Sequence, residues 1–199
     1  MHKIFAARTT APILVPILAL LSGCVGESAD ELKTIFDAGV AAYDAGDYPR
    51  AYKIWKGIDD VDLAAMRNVA MMLRQGQGVA KDPKAAEDLY ETAAAAGLPT
   101  AQADLADMLI KGEAGPPDPK AALPLLEAAA AAHHPLAQYE LAQIYEAGTL
   151  VPKNIETAKG LYRDAAAHGM KEAQDRLDQL AIQPAPNVAA SETAPGLRP

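Results

Sequence analysis

Small and apolar residues recur along the middle of the chain with a shift of 36 residues between copies. Within each copy they stand at helical spacing, which gives each predicted helix one apolar face. A fixed period of this length predicts stacked pairs of helices, none of which can bury its apolar face alone. The matching positions are Ala65, Val69, Ala70, Leu73 and Gly76, then Ala101, Leu105, Ala106 and Gly112, and then Ala137, Leu141, Ala142 and Gly148.

Each repeat begins with a helix, here called helix A, whose ends are marked by proline and glycine. Pro99 and Pro135 occupy the first helical turn, where the lack of an N–H group costs nothing. Glycine after the last helical residue favours the left-handed backbone that ends a helix. The predicted A helices span residues 63–75, 99–111 and 135–147, and they are followed by Gly76, Gly112 and Gly148.

The second helix of each repeat, helix B, starts at an N-cap residue. Asp82 and Asp118 each precede a proline, and Asn154 takes the same position in the third repeat. Pro124 should kink or restart one predicted B helix, and Gly160 should interrupt another. The expected apolar stripe comprises Ala85, Ala86, Leu89, Ala93 and Ala94, then Ala121, Ala122, Leu125, Ala129 and Ala130, and then Thr157, Ala158, Leu161, Ala165 and Ala166.

A shorter hairpin precedes these repeats. Helical periodicity begins near Leu32, and the turn at residues 46–49 breaks it. The stretch AAYDAGDYPRAYKIW resembles a tetratricopeptide hairpin. In that alignment Trp55 matches Leu89, so we expect Trp55 to anchor the core.

The loop between helices A and B and the alanine pairs near the end of helix B resemble the Sel-one-like repeat family, relatives of the tetratricopeptide repeats. The resemblance covers residues 63–169, and a further, truncated unit that starts near Ala173 is expected to cap the array. It implies an all-α fold: a right-handed α-solenoid of antiparallel helix hairpins over residues 32–180. Residues 181–199 are rich in proline and carry no apolar period, so we predict a disordered tail.

The chain begins with features of a secretory signal. Lys3 and Arg8 form a basic segment. The apolar residues 11–21 that follow are too few for a permanent membrane-spanning helix. The sequence LSGC at residues 21–24 then resembles a bacterial lipobox.

The lipobox resemblance implies cleavage after Gly23 and acylation of Cys24 on its sulfur and its new amino group. Residues 1–23 would be a lipoprotein signal peptide, and residues 24–31 an acylated N-terminus and tether. Several acyl chains anchor a protein firmly to a membrane, and the absence of aspartate after Cys24 favours the outer membrane, facing the periplasm. The alternative is an ordinary secretory signal that happens to precede a cysteine.

Charge and the scarcity of reactive residues argue against several functions. The formal net charge is −8 without any basic run, which makes the chain a poor binder of nucleic acid. Serine is absent from the repeats, and acylation would block Cys24 as a nucleophile. His133 and His134 are adjacent and point in different directions, so they suit a helix end better than a metal site. We therefore expect no catalytic site, no metal and no cofactor.

In the related repeats helix A lines the concave face of the solenoid, and this resemblance predicts a partner-binding groove of mixed character. Such a groove suits an extended peptide or a protein loop better than a polyanion. The predicted partner-binding residues are Arg67, Met71, Arg74, Asp107, Lys111, Tyr139, Gln143 and Glu146, with Ala103, Ile110, Asp37 and Asp44 expected on the same face.

Together these features predict a lipid-anchored module of the bacterial cell envelope that binds a protein or peptide partner in envelope assembly or signalling. Charge reversal at Arg67 and Arg74 should weaken partner capture and leave helicity intact. One alternative is an enzyme acting on cell-wall material, for which the chain lacks a nucleophile, a metal set and a paired acid and base. Another is a scaffold for polysaccharide export, and the few aromatic residues of the predicted concave face argue against it.

Overall fold

The computed structural model describes residues 28–182, and in this part of the chain every regular element is an α-helix. The predicted all-α fold is therefore confirmed. Predictions that concern the signal peptide, Cys24 and the C-terminal tail lie outside the described residues. The helices are α1 (Ala29–Asp44), α2 (Tyr48–Lys56), α3 (Leu63–Gln75), α4 (Pro83–Ala95), α5 (Pro99–Lys111), α6 (Pro119–Ala131), α7 (Pro135–Ala147), α8 (Ile155–Ala167) and α9 (Lys171–Ile182).

Helices that follow each other in sequence pack against each other in space, so the chain forms a stack of hairpins. The predicted A helices match α3, α5 and α7 residue for residue. Each ends at a glycine with a left-handed backbone, at Gly76, Gly112 and Gly148. The loop to helix B is also repeated: the Asp82 N–H donates to the Leu73 carbonyl at 2.9 Å, and the two later repeats have the same bond.

The B helices begin at their predicted N-caps. Asp82, Asp118 and Asn154 each accept a hydrogen bond of 3.0 Å from the third backbone N–H beyond them. Pro124 is expected to kink or restart α6. The restart is wrong, because α6 runs unbroken through Pro124, and the kink stays a prediction. Proline removes only its own N–H from the helix, and tight packing of the neighbouring core residues holds α6 together. Gly160 likewise leaves α8 continuous.

The core is built from alanines and one large side chain in each B helix. The large residues are not the predicted leucines: Leu89, Leu125 and Leu161 are only partly buried. Each B helix packs between the A helix of its own hairpin and the A helix that follows it in the chain. The buried face of a B helix is therefore wide and includes the residue directly after each of these leucines. The buried large residues are Trp55, Tyr90, Leu126 and Tyr162, which stand equally far beyond their N-caps. Trp55 is a core anchor as predicted, but its counterpart is Tyr90 and not Leu89.

Both ends of the solenoid extend beyond the predicted limits. Helix α1 begins at Ala29 and not near Leu32, because the Ser28 hydroxyl caps it by accepting the Glu31 N–H at 3.3 Å. At the other end α9 continues to Ile182. This single helix buries its apolar side on α8 and exposes mainly polar residues, as a capping unit does.

The contact between α1 and α2 leaves no room for a side chain at Gly39. A Cβ there would lie 2.3 Å from Nε1 of Trp55, whose side chain is 2% exposed and whose N–H donates to the Phe36 carbonyl at 3.2 Å. At Gly160 a Cβ would meet nothing within 4 Å. The two glycines therefore form a matched pair for mutation.

We predict that Gly39→Ala lowers the free energy of unfolding by about 1–3 kcal/mol, because the indole must move within a packed core. Gly160→Ala should raise the same quantity by up to about 1 kcal/mol, because alanine favours the helix and meets no obstacle. Chemical denaturation followed by circular dichroism measures both changes. Equal stability of Gly39→Ala and the parent protein would contradict the packing of Trp55.

Candidate partner-binding surface

The predicted binding residues of the three long repeats lie on α3, α5 and α7. These helices, together with α9, stand side by side on one surface of the stack, here called the A face. Neighbouring helices of the A face meet at three junctions: the first between α3 and α5, the middle between α5 and α7, and the last between α7 and α9. Side chains from both helices meet at each junction, so the junctions decide what the A face can bind.

Arginine–carboxylate pairs bridge the first junction. Arg67 Nε donates to Asp104 Oδ2 at 2.6 Å. Arg74 Nη2 donates to Asp107 Oδ2 and to Glu113 Oε1, both at 2.5 Å, and its Nε donates to Glu113 Oε2 at 2.8 Å. Arg74 thus binds the Glu113 carboxylate bidentately through Nε and Nη2, and the same Nη2 also donates to Asp107. Bidentate pairing of this kind is strong and geometrically specific.

These pairs are partly shielded from water. The exposed fraction of the side chain is 30% for Arg67 and 15% for Arg74. Hydrogen bonds from Arg74 hold the pKa of the Glu113 carboxyl below its usual range. Burial opposes the ionisation of Asp107, but hydrogen bonds from Arg74 and Lys111 outweigh it and lower the pKa of that carboxyl as well.

Arg67 and Arg74, both predicted to bind a partner, are therefore neutralised by acids of the next repeat. Reversing the charge of Arg67 or Arg74 would leave partly buried carboxylates facing each other, which destabilises a fold. That such variants keep their helicity stays a prediction, and these contacts add the expectation that the variants are less stable than the parent protein. Arg67 and Arg74 act first as links between repeats.

An ion pair also bridges the last junction, but here the earlier helix supplies the acid and the later helix supplies the arginine. Glu146 Oε2 accepts hydrogen bonds of 2.9 Å from Arg176 Nε and from the Tyr162 hydroxyl, and Arg176 Nη2 donates to Oε1 of the same carboxylate. The bonds from Arg176 and Tyr162 lower the pKa of Glu146. Tyr139 packs on Tyr162 with ring centroids 5.5 Å apart. Two of the predicted binding residues, Tyr139 and Glu146, are thus held in place by structural contacts.

The middle junction has an open cleft of about 310 Å³. Glu140 lies in it, and among residues 28–182 no group donates a hydrogen bond to its buried oxygen Oε2. Burial, followed by the negative charge of Asp107, raises the pKa of Glu140 to about 7. The cleft is lined by Asp107, Ile110, Glu140, Gln143, Ile144, Ala147 and Thr149.

The remaining predicted residues differ in exposure. Ala103, expected to line the groove, is fully buried, because its side of α5 packs into the core. Met71 is partly buried, because it packs against the hydrophobic core. Lys111 is exposed and pairs with Asp107 at 2.8 Å, and Gln143 is exposed at the cleft. In the first hairpin Asp37 and Asp44 are both exposed, and Asp37 pairs with Lys33.

Glu140, which lines the cleft, is not among the residues predicted from the sequence. The available signal was the repeat itself, because Glu140 stands one period after Asp104 and Arg176 one period after Glu140. A change of residue type at a repeated junction position indicates a change in how that junction is bridged. The pairing partners Asp104, Glu113 and Arg176 could have been proposed from the same comparison.

Within residues 28–182 no three His, Cys, Asp or Glu side chains are grouped to hold a metal ion. The rings of His133 and His168 lie 6.1 Å apart, and His133 has a positive φ of 61° where the other repeats have Gly97 and Gly169. In that same part of the chain no helix combines the length and apolar character needed to cross a membrane.

The structure is thus an α-solenoid of repeated helix hairpins. The Sel1 repeat family matches three consecutive segments, residues 63–98, 99–134 and 135–170, and the chain belongs to this family. Its segment boundaries coincide with the hairpins α3–α4, α5–α6 and α7–α8. Among curated protein sequences none matches this chain.

Solved structures of other Sel1 repeat proteins have the same fold. A Sel1 repeat protein from Oxalobacter formigenes is 32% identical, with a TM-score of 0.69 over 73% of this chain and 60% of that one. The protein c5321, a protective antigen of uropathogenic Escherichia coli with an SLR fold, is 26% identical, with a TM-score of 0.68 over 75% of this chain and 33% of that one. This chain therefore spans less than two thirds of the length of either relative.

Family membership indicates the general class of activity. Sel1 repeats generally mediate protein–protein interaction, and proteins built from them are typically scaffolds without enzymatic activity. The immunity protein Pa5087 from Pseudomonas aeruginosa, 24% identical with a TM-score of 0.56 over 78% of this chain and 60% of that one, shares the fold.

The environment of Glu140 predicts a pH-dependent stability. Burial is the largest cause of the raised pKa of Glu140. The charges of Asp107 and Asp104 on α5 raise this pKa further, whereas Lys111 of α5 and Arg74 of α3 lower it. Because folding raises the pKa of this carboxyl, the folded state binds its proton more tightly than the unfolded state does. Its contribution to stability therefore falls as the pH rises from about 4.5 to about 7 and stays constant above that.

We predict that Glu140→Gln raises the free energy of unfolding by about 1–2 kcal/mol at pH 8, after allowance for solvent screening, and has little effect at pH 4.5. Urea denaturation at both pH values measures the difference. Glu127→Gln, on the exposed surface of α6, is the control and should give no pH-dependent gain. Identical pH profiles for Glu140→Gln and the parent would show that Glu140 is well solvated.

Proposed function

We propose that this protein is an interaction module that presents the A face to a protein or peptide partner. The observation that carries the proposal is the fixed arrangement of the A face: the first and last junctions are bridged by ion pairs, and an open cleft lies between them. A surface whose side chains are already held in place loses less conformational entropy on binding. The family's general role in protein–protein interaction supports the same proposal.

We further propose that the module is held at a membrane of the bacterial cell envelope through acylated Cys24. The support lies in the sequence: a basic start, a short apolar segment and the motif LSGC at residues 21–24. Val25 after the cysteine favours the outer membrane with the repeats in the periplasm. The lipid anchor then sets location, while the A face captures the partner in envelope assembly or signalling.

The A face can be tested by site-specific crosslinking in envelope fractions. A photoreactive residue at Lys111, 57% exposed on the A face, is compared with one at Asp88, 63% exposed on helix α4. The two positions have similar exposure and each loses one charge, so they are matched. We predict that a single protein is crosslinked from position 111 and not from position 88. Equal labelling from both positions would contradict the A face as the binding surface.

The anchor can be tested by replacing its acceptor. We predict that Cys24→Ser moves the protein from the membrane fraction to the soluble periplasmic fraction, because no acyl chain can be attached to the sulfur. Mass spectrometry of the parent protein should show the added mass of the acyl groups on a chain that begins at Cys24. A parent protein that remains soluble and unmodified would support the ordinary secretory signal instead.

A further inference from the structure

The three junctions of the A face use equivalent positions of the repeat in different ways. Two positions on the earlier helix supply bridging side chains, and a receiving position on the later helix pairs with Arg67 at the first junction and with Glu146 at the last. Arg74 pairs instead with Asp107 and Glu113. The equivalent residues, one period apart, are Arg67, Ala103 and Tyr139 at the first position, Arg74, Ile110 and Glu146 at the second, and Asp104, Glu140 and Arg176 at the receiving position.

Opposite charges meet at the first and last junctions. Arg67 and Arg74 reach the carboxylates of α5 at the first, and Glu146 meets Arg176 at the last. At the middle junction the bridging positions are Ala103 and Ile110, which carry no charge. In the described part of the chain Glu140 therefore has no cation opposite it.

The cleft corresponds to the space that Arg74 fills one repeat earlier. Ile110 stands one period after Arg74 itself. Gln143 and Thr149 stand one period after Asp107 and Glu113, the two acids that hold the Arg74 guanidinium. All three of these residues line the cleft. The cleft is thus the equivalent of an arginine site, with the arginine replaced by a shorter apolar residue.

The chemistry of the cleft fits the same kind of side chain. Ile110, Ile144 and Ala147 offer an apolar surface for an aliphatic stem, and Asp107 and Glu140 offer carboxylates for a cationic head. Asp107 is already held by Arg74 and Lys111, so Glu140 is the acid that a new cation would satisfy. A planar guanidinium can donate to two acceptors at once, which an ammonium group does with less geometric definition.

We propose that the cleft binds an arginine side chain of the partner, with the guanidinium at Glu140 and the stem against Ile110 and Ile144. This inference rests on the proposed function, because it names the chemistry by which the A face recognises its partner. Arginine binding completes at the middle junction the charge pairing that the chain itself provides at the other two.

The probe is a short peptide, N-acetyl-Gly-Ala-Arg-Ala-Gly-amide, and its control has citrulline in place of arginine, which keeps the shape and removes the charge. The full chain carries isotope-labelled isoleucine methyl groups, and binding is followed by nuclear magnetic resonance. We predict saturable shifts of the Ile110 and Ile144 methyl signals with a dissociation constant of roughly 1 mM, as for one isolated side-chain contact. The citrulline peptide should bind at least tenfold more weakly.

Two variants separate the cleft from the rest of the surface. Glu140→Gln should weaken arginine-peptide binding at least tenfold, and Glu127→Gln on α6 should leave it unchanged. Ile110→Arg places an arginine where Arg74 stands one repeat earlier, so it should fill the cleft, abolish peptide binding and raise the melting temperature. Equal binding of the arginine and citrulline peptides, or full binding by Glu140→Gln, would overturn the proposal.

The pH dependence gives a second readout. Because burial keeps Glu140 partly protonated near neutral pH, affinity for the arginine peptide should fall as the pH drops from 8 to 6. The dependence should disappear in Glu140→Gln. A higher affinity produced by Arg198→Ala alone would mean that the chain's own C-terminal segment occupies the cleft, and would overturn a partner arginine as the occupant.

The outcomes distinguish this inference from the proposed function. Partner capture from position 111 that survives Glu140→Gln, together with no shift by the arginine peptide, would overturn the inference and leave the interaction module standing. Binding of the arginine peptide without any capture from position 111 would support the cleft and contradict the proposed use of the A face.

Discussion

Close packing of each B helix between two A helices is the constraint on which the rest of the structure depends. Alanine makes it possible, because residues such as Ala86, Ala122 and Ala158 are fully buried and let helix backbones approach closely. A single hairpin cannot bury the second side of its B helix, so each unit needs its neighbour. The large residues Tyr90 and Tyr162 then fill what remains of the space between units.

This packing fixes the spacing of the A helices and so creates the junctions of the A face. Side chains one repeat apart come within reach of each other although they are far apart in sequence, as Arg74 and Glu113 show. Partly buried pairs of this kind cost more to break than exposed ones, because removal of one partner leaves an unpaired charge. The junctions therefore link neighbouring repeats and also set the electrostatic character of the surface.

The middle junction shows how a repeat protein can build a site by omitting a contact. Ile110 occupies the position that a bridging arginine has one repeat earlier. An open cleft, lined by Asp107 and Glu140, therefore lies where an arginine side chain would be. One wall of this cleft is in place before any partner arrives, since Asp107 is held by Arg74 and Lys111, and Glu140 Oε2 is the acceptor left without an internal partner in the described part of the chain. Preorganisation of this kind lowers the entropy lost on binding, so specific binding does not require a large buried area.

The sequence by itself determined the all-α architecture and most helix limits, because period, N-caps and terminal glycines act locally and were repeated three times. The placement of the binding residues on helix A follows from the family resemblance and stays a prediction. Only the tertiary structure decided that Tyr90, and not Leu89, enters the core, since that depends on the second A helix packed against α4. Only the structure showed that Arg67 and Arg74 are paired and Glu140 is not. Pairing depends on distances between helices, which a pattern along one chain does not contain.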